Sequence, residues 1–108
     1  MKKIKVGIVG GTGFTAGELI RILLYHPDAE ISFVTSQSLQ GEFISDVHKD
    51  LFGETTLKFE NLAQPADIIF LCLPHGESKN WLVENEKRIA AETKIIDLGN
   101  DFRVDEVW

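Results

Sequence analysis

The residues best suited to chemistry stand near the start of the chain. Gly10-Gly11-Thr12-Gly13-Phe14-Thr15-Ala16 follows an Ile/Val-rich run and precedes a run of helix formers. Gly11-x-Gly13-x-x-Ala16 has the G-x-G-x-x-G/A spacing, in which glycine closes a tight turn and lets a pyrophosphate approach the backbone. Gly10-x-x-Gly13-x-x-Ala16 fits the related spacing. N–H groups at the start of a helix then face the anion, and the helix dipole adds to the attraction. Thr12, Phe14 and Thr15 would line such a site. A Walker-type nucleotide loop is a poor match, because no lysine followed by Ser or Thr closes the turn.

A second group of residues sets cofactor choice. An NAD site usually places an acidic residue at the end of the second strand, on the ribose 2′-hydroxyl. Here that position holds Thr35-Ser36-Gln37-Ser38, with Glu30 at the wrong end of the strand. Small hydroxyl side chains leave room for a 2′-phosphate, so NADP is the expected cofactor. No arginine stands there to clamp it. Alternatively, these residues form a polar loop with no ligand role.

Other candidates are weaker. His75 follows a strand end, where ligands collect in open α/β sheets. It could wall the cofactor or substrate, make structural hydrogen bonds, or act as acid/base. Asp101 and Arg103 could pair in a turn, or Arg103 could hold a substrate oxyanion. Cys72 lies in Ile68-Ile69-Phe70-Leu71-Cys72-Leu73, an apolar run where a thiol is inert and packs as a small hydrophobe. His26 and His48 lack partners at metal-ligand spacing and are expected at surface or capping positions. No metal site is expected.

These residues need elements to position them. Ile4 to Val9 reads as a buried strand ending at glycine. Ala16, Leu19, Ile20 and Leu23 recur at helical spacing, with Thr15 and Glu18 in capping-box form and His26-Pro27 as a stop. Ile31 to Thr35 is a second strand. Ser36 to Glu60 reads as loop with short helical or strand pieces. Ala66 to Leu73 is a central strand, broken at Pro74-His75-Gly76. Glu77 to Glu92 is a helix with Ser78 as cap and Trp81, Leu82, Val83 and Ile89 on its apolar side. Lys94 to Leu98 is a last strand.

Strands alternating with helices imply an α/β fold: a Rossmann-like, doubly wound, mainly parallel sheet. The chain stops at Trp108 soon after a strand, an odd end for such a sheet, so residues 1–108 are expected to be one dinucleotide-binding domain of a longer protein. Its 108 residues, 44% hydrophobic and 26% charged, suit one globular domain and not a disordered chain. The net charge of −6 comes without a basic stripe, which argues against nucleic acid as a partner. No apolar run approaches the roughly 18 residues of a membrane span. One cysteine excludes an internal disulfide framework and a cysteine-based zinc site. MKKIKVGIVGG is too short in its apolar part for a secretory signal, so a cytoplasmic location is expected.

Three segments carry a family resemblance. Gly10 to Leu19 resembles the fingerprint of the N-acetyl-gamma-glutamyl-phosphate reductases, relatives of the aspartate-semialdehyde dehydrogenases. Leu73-Pro74-His75-Gly76-Glu77-Ser78 is similar to that family's L-P-H-G-x-S segment. Ile96-Asp97-Leu98-Gly99-Asn100-Asp101-Phe102-Arg103 is similar to its I-D-L-S-A-D-F-R segment. Departures are Ala16 at the third glycine, Gln37 where arginine is usual, and Gly99-Asn100 for Ser-Ala.

The resemblance implies a domain that binds NADP for an oxidoreductase of arginine biosynthesis. Such enzymes reduce an N-acyl-glutamyl phosphate to the semialdehyde, using a cysteine nucleophile and a histidine acid/base. No segment here matches that cysteine motif, so the nucleophile is expected beyond Trp108 and this chain alone should not turn over. By the resemblance, Leu73, Pro74, His75 and Gly76 lie near the nicotinamide. A homo-oligomer is expected from apolar surface on the last strand and its following loop. The alternatives are another semialdehyde dehydrogenase, an extended short-chain reductase or epimerase, or a non-enzymatic dinucleotide-sensing module.

Overall fold

A β-branched run makes Ile4–Val9 the first strand, β1, with Val6 to Val9 buried without interruption, as in a central strand covered on both faces. In this computed structural model the described residues are 3–36, 38–61, 63–73, 76–89 and 91–98. Helix α1 runs over Phe14–Leu24 and strand β2 over Ala29–Thr35. Two short 3₁₀ turns follow, Ile44–Asp46 and Lys49–Leu51. Then come β3 (Ile68–Leu71), α2 (Ser78–Asn85), a 3₁₀ turn (Glu86–Arg88) and β4 (Lys94–Asp97).

The sheet order is β2-β1-β3-β4, and every pairing is parallel. From β1 the chain first winds outward to β2, then returns to place β3 on the other side of β1. The order therefore reverses between β1 and β3, and ligands in such sheets bind outside the strand carboxyl ends at that point.

The core divides between the two faces of the sheet, as strand alternation requires. Ile8 and Val34 join Ala16 and Ile20 of α1 on one side, with Ile44, Leu51 and Phe59. Val9, Phe33, Ile69 and Leu71 form the other cluster, on which Trp81, Leu82 and Ile89 pack. Among the described residues of the stretch 36–60 the chain is loop with short pieces, as expected, but not loose. A parallel bridge Thr35–Glu60 and an antiparallel bridge Phe43–Lys58 fasten them.

Some local expectations are corrected. Thr15 and Glu18 form no capping box: the N-cap is Gly13, which has no side chain to cap with, and Glu18 accepts a hydrogen bond from Arg21 at 2.7 Å. That bond holds the exposed Glu18 carboxyl below the usual range. Helix α2 is shorter than Glu77 to Glu92. Ser78 is not its cap; it is fully buried, and its Oγ donates to Asp97 Oδ1 at 3.2 Å. Val83 is exposed, so it does not belong to the apolar side. Among the described residues no helix is long and apolar enough to cross a membrane.

Candidate functional site

Strand β1 delivers the glycine turn to the carboxyl edge of the sheet at the switch point. Gly10 has φ +82°, and a Cβ there would lie 2.8 Å from the Cys72 carbonyl oxygen. Only glycine fits both demands. Its N–H donates to Thr35 Oγ1 at 3.2 Å, and the N–H of Gly11 donates to the Thr35 carbonyl at 2.9 Å. Thr35 thus anchors the turn to β2 through both its side chain and its backbone. Gly11 is buried with Val34 packed where a Cβ would go.

Gly13 is different. An added Cβ there would meet nothing within 4 Å. The turn is closed by protein at Gly10 and Gly11 and open at Gly13, the side from which an anion would come. No described residue accepts from the N–H of Thr12 or Gly13. The first N–H groups of α1 have no intrahelical partner by construction. Glycine as N-cap leaves these donors unclaimed, whereas a Ser or Asp cap would have taken one. Phe14 and Thr15 are exposed beside them, while Ala16 is fully buried between α1 and the sheet. Ala16 thus does the packing work of the third glycine position, not ligand contact.

A cleft of about 420 Å³ opens over the turn, within the size range of small-molecule sites. Gly10, Gly11 and Thr12 form its floor. Thr35, Ser36 and Ser38 form the β2 side, and Leu73, Asn80 and Trp81 the α2 side. Ser36 is buried, and its Oγ accepts from the Leu39 N–H at 3.2 Å, shaping the bend that presents Ser38. No described lining residue is basic, while Glu77 and Glu84 are acidic. Backbone donors, not a field of cations, must therefore hold an anion here. A second, more open hollow of about 560 Å³ lies beside Phe43 and Phe52, away from the glycine turn.

Of the residues expected at the site, Gly10, Gly11, Thr12, Ser36, Ser38 and Leu73 line this one cleft. Gly76 is exposed at φ +89° before α2. Gln37, Pro74, His75, Asp101 and Arg103 lie outside the described residues. Cys72 is half-buried against the α1-side core, and burial, helped by the Asp97 carboxylate, pushes its thiol up to about 11. Among the described residues no group of His, Cys, Asp and Glu could hold a metal ion.

Sequence reasoning missed Asn61 and Asn80 in the cleft lining, and the bonds by which Thr35 anchors the glycine turn; both gain meaning only when three strand ends meet. His48 does occupy a capping position, as N-cap of the 3₁₀ turn Lys49–Leu51, but its side chain caps nothing there. What sequence reasoning missed is where the ring goes: its Nε2 lies 2.6 Å from the Gly11 carbonyl oxygen.

Residues 5–108 match the family model for the semialdehyde dehydrogenase NAD-binding domain. The chain is 51% identical over 104 residues to the N-acetyl-gamma-glutamyl-phosphate reductase of Flavobacterium johnsoniae, covering 95% of this chain and 31% of that protein. It is 49% identical over 102 residues to the protein of the same name from Christiangramia forsetii, covering 94% of this chain and 31% of that protein. The chain therefore spans about 31% of the length of the relatives it matches. Among solved structures, aspartate semialdehyde dehydrogenase with NADP from Candida albicans has a similar fold. The TM-score is 0.69 at 18% identity, over 94% of this chain and 31% of that one.

Proposed function

From the premise that the chain belongs to the semialdehyde dehydrogenase family, as its NAD-binding domain, we propose that it binds NADP for a reductase acting on N-acyl-glutamyl phosphate. In this reading the reductase makes the corresponding semialdehyde for arginine biosynthesis in the cytoplasm. The observation that carries the binding role is the half-closed turn. Gly10 and Gly11 are locked to Thr35, while Gly13 has open space where a side chain would be and no described residue accepts from the N–H of Thr12.

The residues present fit a dinucleotide. The pyrophosphate would meet the N–H groups of Thr12, Gly13 and Phe14 at the positive end of α1. Ser36 and Ser38 would face the ribose 2′-phosphate, where an acidic side chain would exclude it. Leu73 and Trp81 supply apolar walls farther along the cleft. When bound, the cofactor supplies hydride to an acyl carbon. The substrate choice rests on the named relatives and on the resemblance of Leu73 to Ser78 and Ile96 to Arg103. Asp101 and Arg103 are the substrate-side candidates in this reading. The catalytic cysteine lies outside these 108 residues, so the chain by itself binds without turnover. The reductase is read as a homo-oligomer.

The test is a titration of the chain with NADP⁺ and, separately, NAD⁺, followed by amide shifts in two-dimensional NMR. The expected result is tighter binding of NADP⁺, with shifts at Thr12, Gly13, Phe14, Ser36 and Ser38. Equal or tighter binding of NAD⁺ overturns the 2′-phosphate assignment. Binding of neither overturns the dinucleotide role of this chain.

A further inference from the structure

We propose that His48 is a positioning residue that sets the direction of a phosphate-binding N–H in the glycine turn, an inference that rests on the dinucleotide reading above. The Gly11 carbonyl can only accept, so the hydrogen of the 2.6 Å contact sits on His48 Nε2. The Gly11 carbonyl and the Thr12 N–H belong to one planar trans peptide and point in opposite directions. Holding the oxygen therefore aims the N–H. Gly11 is thus held at both ends, its N–H by Thr35 and its carbonyl by His48.

His48 itself is firmly placed. Its N–H donates to the Ile44 carbonyl at 3.0 Å, and its carbonyl accepts from Leu51 N–H at 2.9 Å. Ile44 and Leu51 are both fully buried. The other edge of the ring lies over Gly17 in α1. A Cβ on residue 17 would fall 2.6 Å from Nδ1 and 2.8 Å from Cε1. Gly17 is therefore the space that lets the ring reach the turn. Glycine is a poorer helix former than alanine, so the position sacrifices helix stability for this contact.

Three variants of the chain test this: His48→Leu, His48→Gln and Gly17→Ala. Two quantities are read, the NADP⁺ dissociation constant and the ¹⁵N order parameter of the Thr12 N–H in the free protein. His48→Leu loses the donor, and about tenfold weaker NADP⁺ binding is expected from one lost hydrogen bond. The Thr12 order parameter falls with it. Glutamine places an amide donor near the former Nε2, so His48→Gln should bind within about twofold of wild type and restore Thr12 order. Gly17→Ala pushes the ring off the turn and should follow His48→Leu, while its melting temperature stays level or rises.

The proposal is overturned if His48→Leu keeps wild-type affinity and Thr12 order. It is also overturned if glutamine rescues nothing, since the ring then only fills space. If His48→Leu does not fold, a folded Gly17→Ala variant with unchanged affinity and order overturns it equally. A wild-type chain that binds no NADP⁺ defeats the functional reading instead. The Thr12 order parameters of the variants then decide the role of His48 by themselves.

Discussion

Gly10 and Gly13 are needed for different reasons, and substitution separates them. Gly13 has φ −82° and ψ 173°, which any residue adopts, and open space around it. Gly13→Val should leave the melting temperature almost unchanged and weaken NADP⁺ binding by at least about tenfold, since the side chain would occupy the phosphate position. Titration beside a thermal melt checks both halves. Gly10→Ala should do the reverse of sparing the fold. A left-handed φ and a collision with the Cys72 carbonyl predict a loss of about 2 kcal/mol or more in chemical denaturation. Cys72 gives a pH signature. Its thiol is raised in the folded chain from 9.0 to about 11, chiefly by burial. The unfolded chain gives up this proton first, so stability is full below pH 9.0 and is lost as pH rises toward about 11. Denaturation of wild type and Cys72→Ala across that window should show the steeper decline in wild type.

At the scale of elements, what was local in sequence was legible. The strand-turn-helix from Ile4 to Leu24 follows from a β-branched run, a glycine turn and helical spacing, each within a few residues. Contacts between distant segments were not. His48 sits in a stretch with weak periodicity, and its partner Gly11 is 37 residues away. Ser78 looked like a cap because a hydroxyl stood before helix formers. Instead the fold brings β4 alongside, and the hydroxyl turns inward to Asp97. That bond ties α2, one wall of the cleft, to the sheet. Ser78→Ala should cost about 2 kcal/mol, the range for a buried hydrogen bond to a charged group, as read by urea denaturation. It should also loosen the α2 wall, seen as faster amide exchange at Trp81. The cleft itself was half legible. Gly10 to Thr12 came from motif spacing and Ser36 and Ser38 from their place at the end of the second strand, whereas Asn61 and Asn80 lie on segments whose registration against β1 only the tertiary fold supplies.

At the scale of the whole molecule, the exposed edge of β4 carries the next expectation. Ile96 and Leu98 are each 40% exposed there, and among the described strands β4 pairs only with β3. An open apolar strand edge invites a second chain. The chain should therefore self-associate as concentration rises, and Ile96→Lys should suppress this. A constant monomer mass in light scattering at high concentration would remove the idea.

The all-parallel sheet has a kinetic consequence as well. Parallel neighbours cannot be joined by a hairpin. Ile4 of β1 faces Ala29 of β2, and Val6 faces Ile68 of β3, so no strand pair in this sheet can zip from a tight turn. Each pairing must wait for a long loop to close, and topologies dominated by such distant pairings reach the native state slowly for their size. Strand β1 gains its second neighbour, β3, only across the long segment bearing His48. A mixing experiment that follows tryptophan fluorescence and the Gly11 amide together should see the glycine turn ordered late, after much of the chain has already condensed.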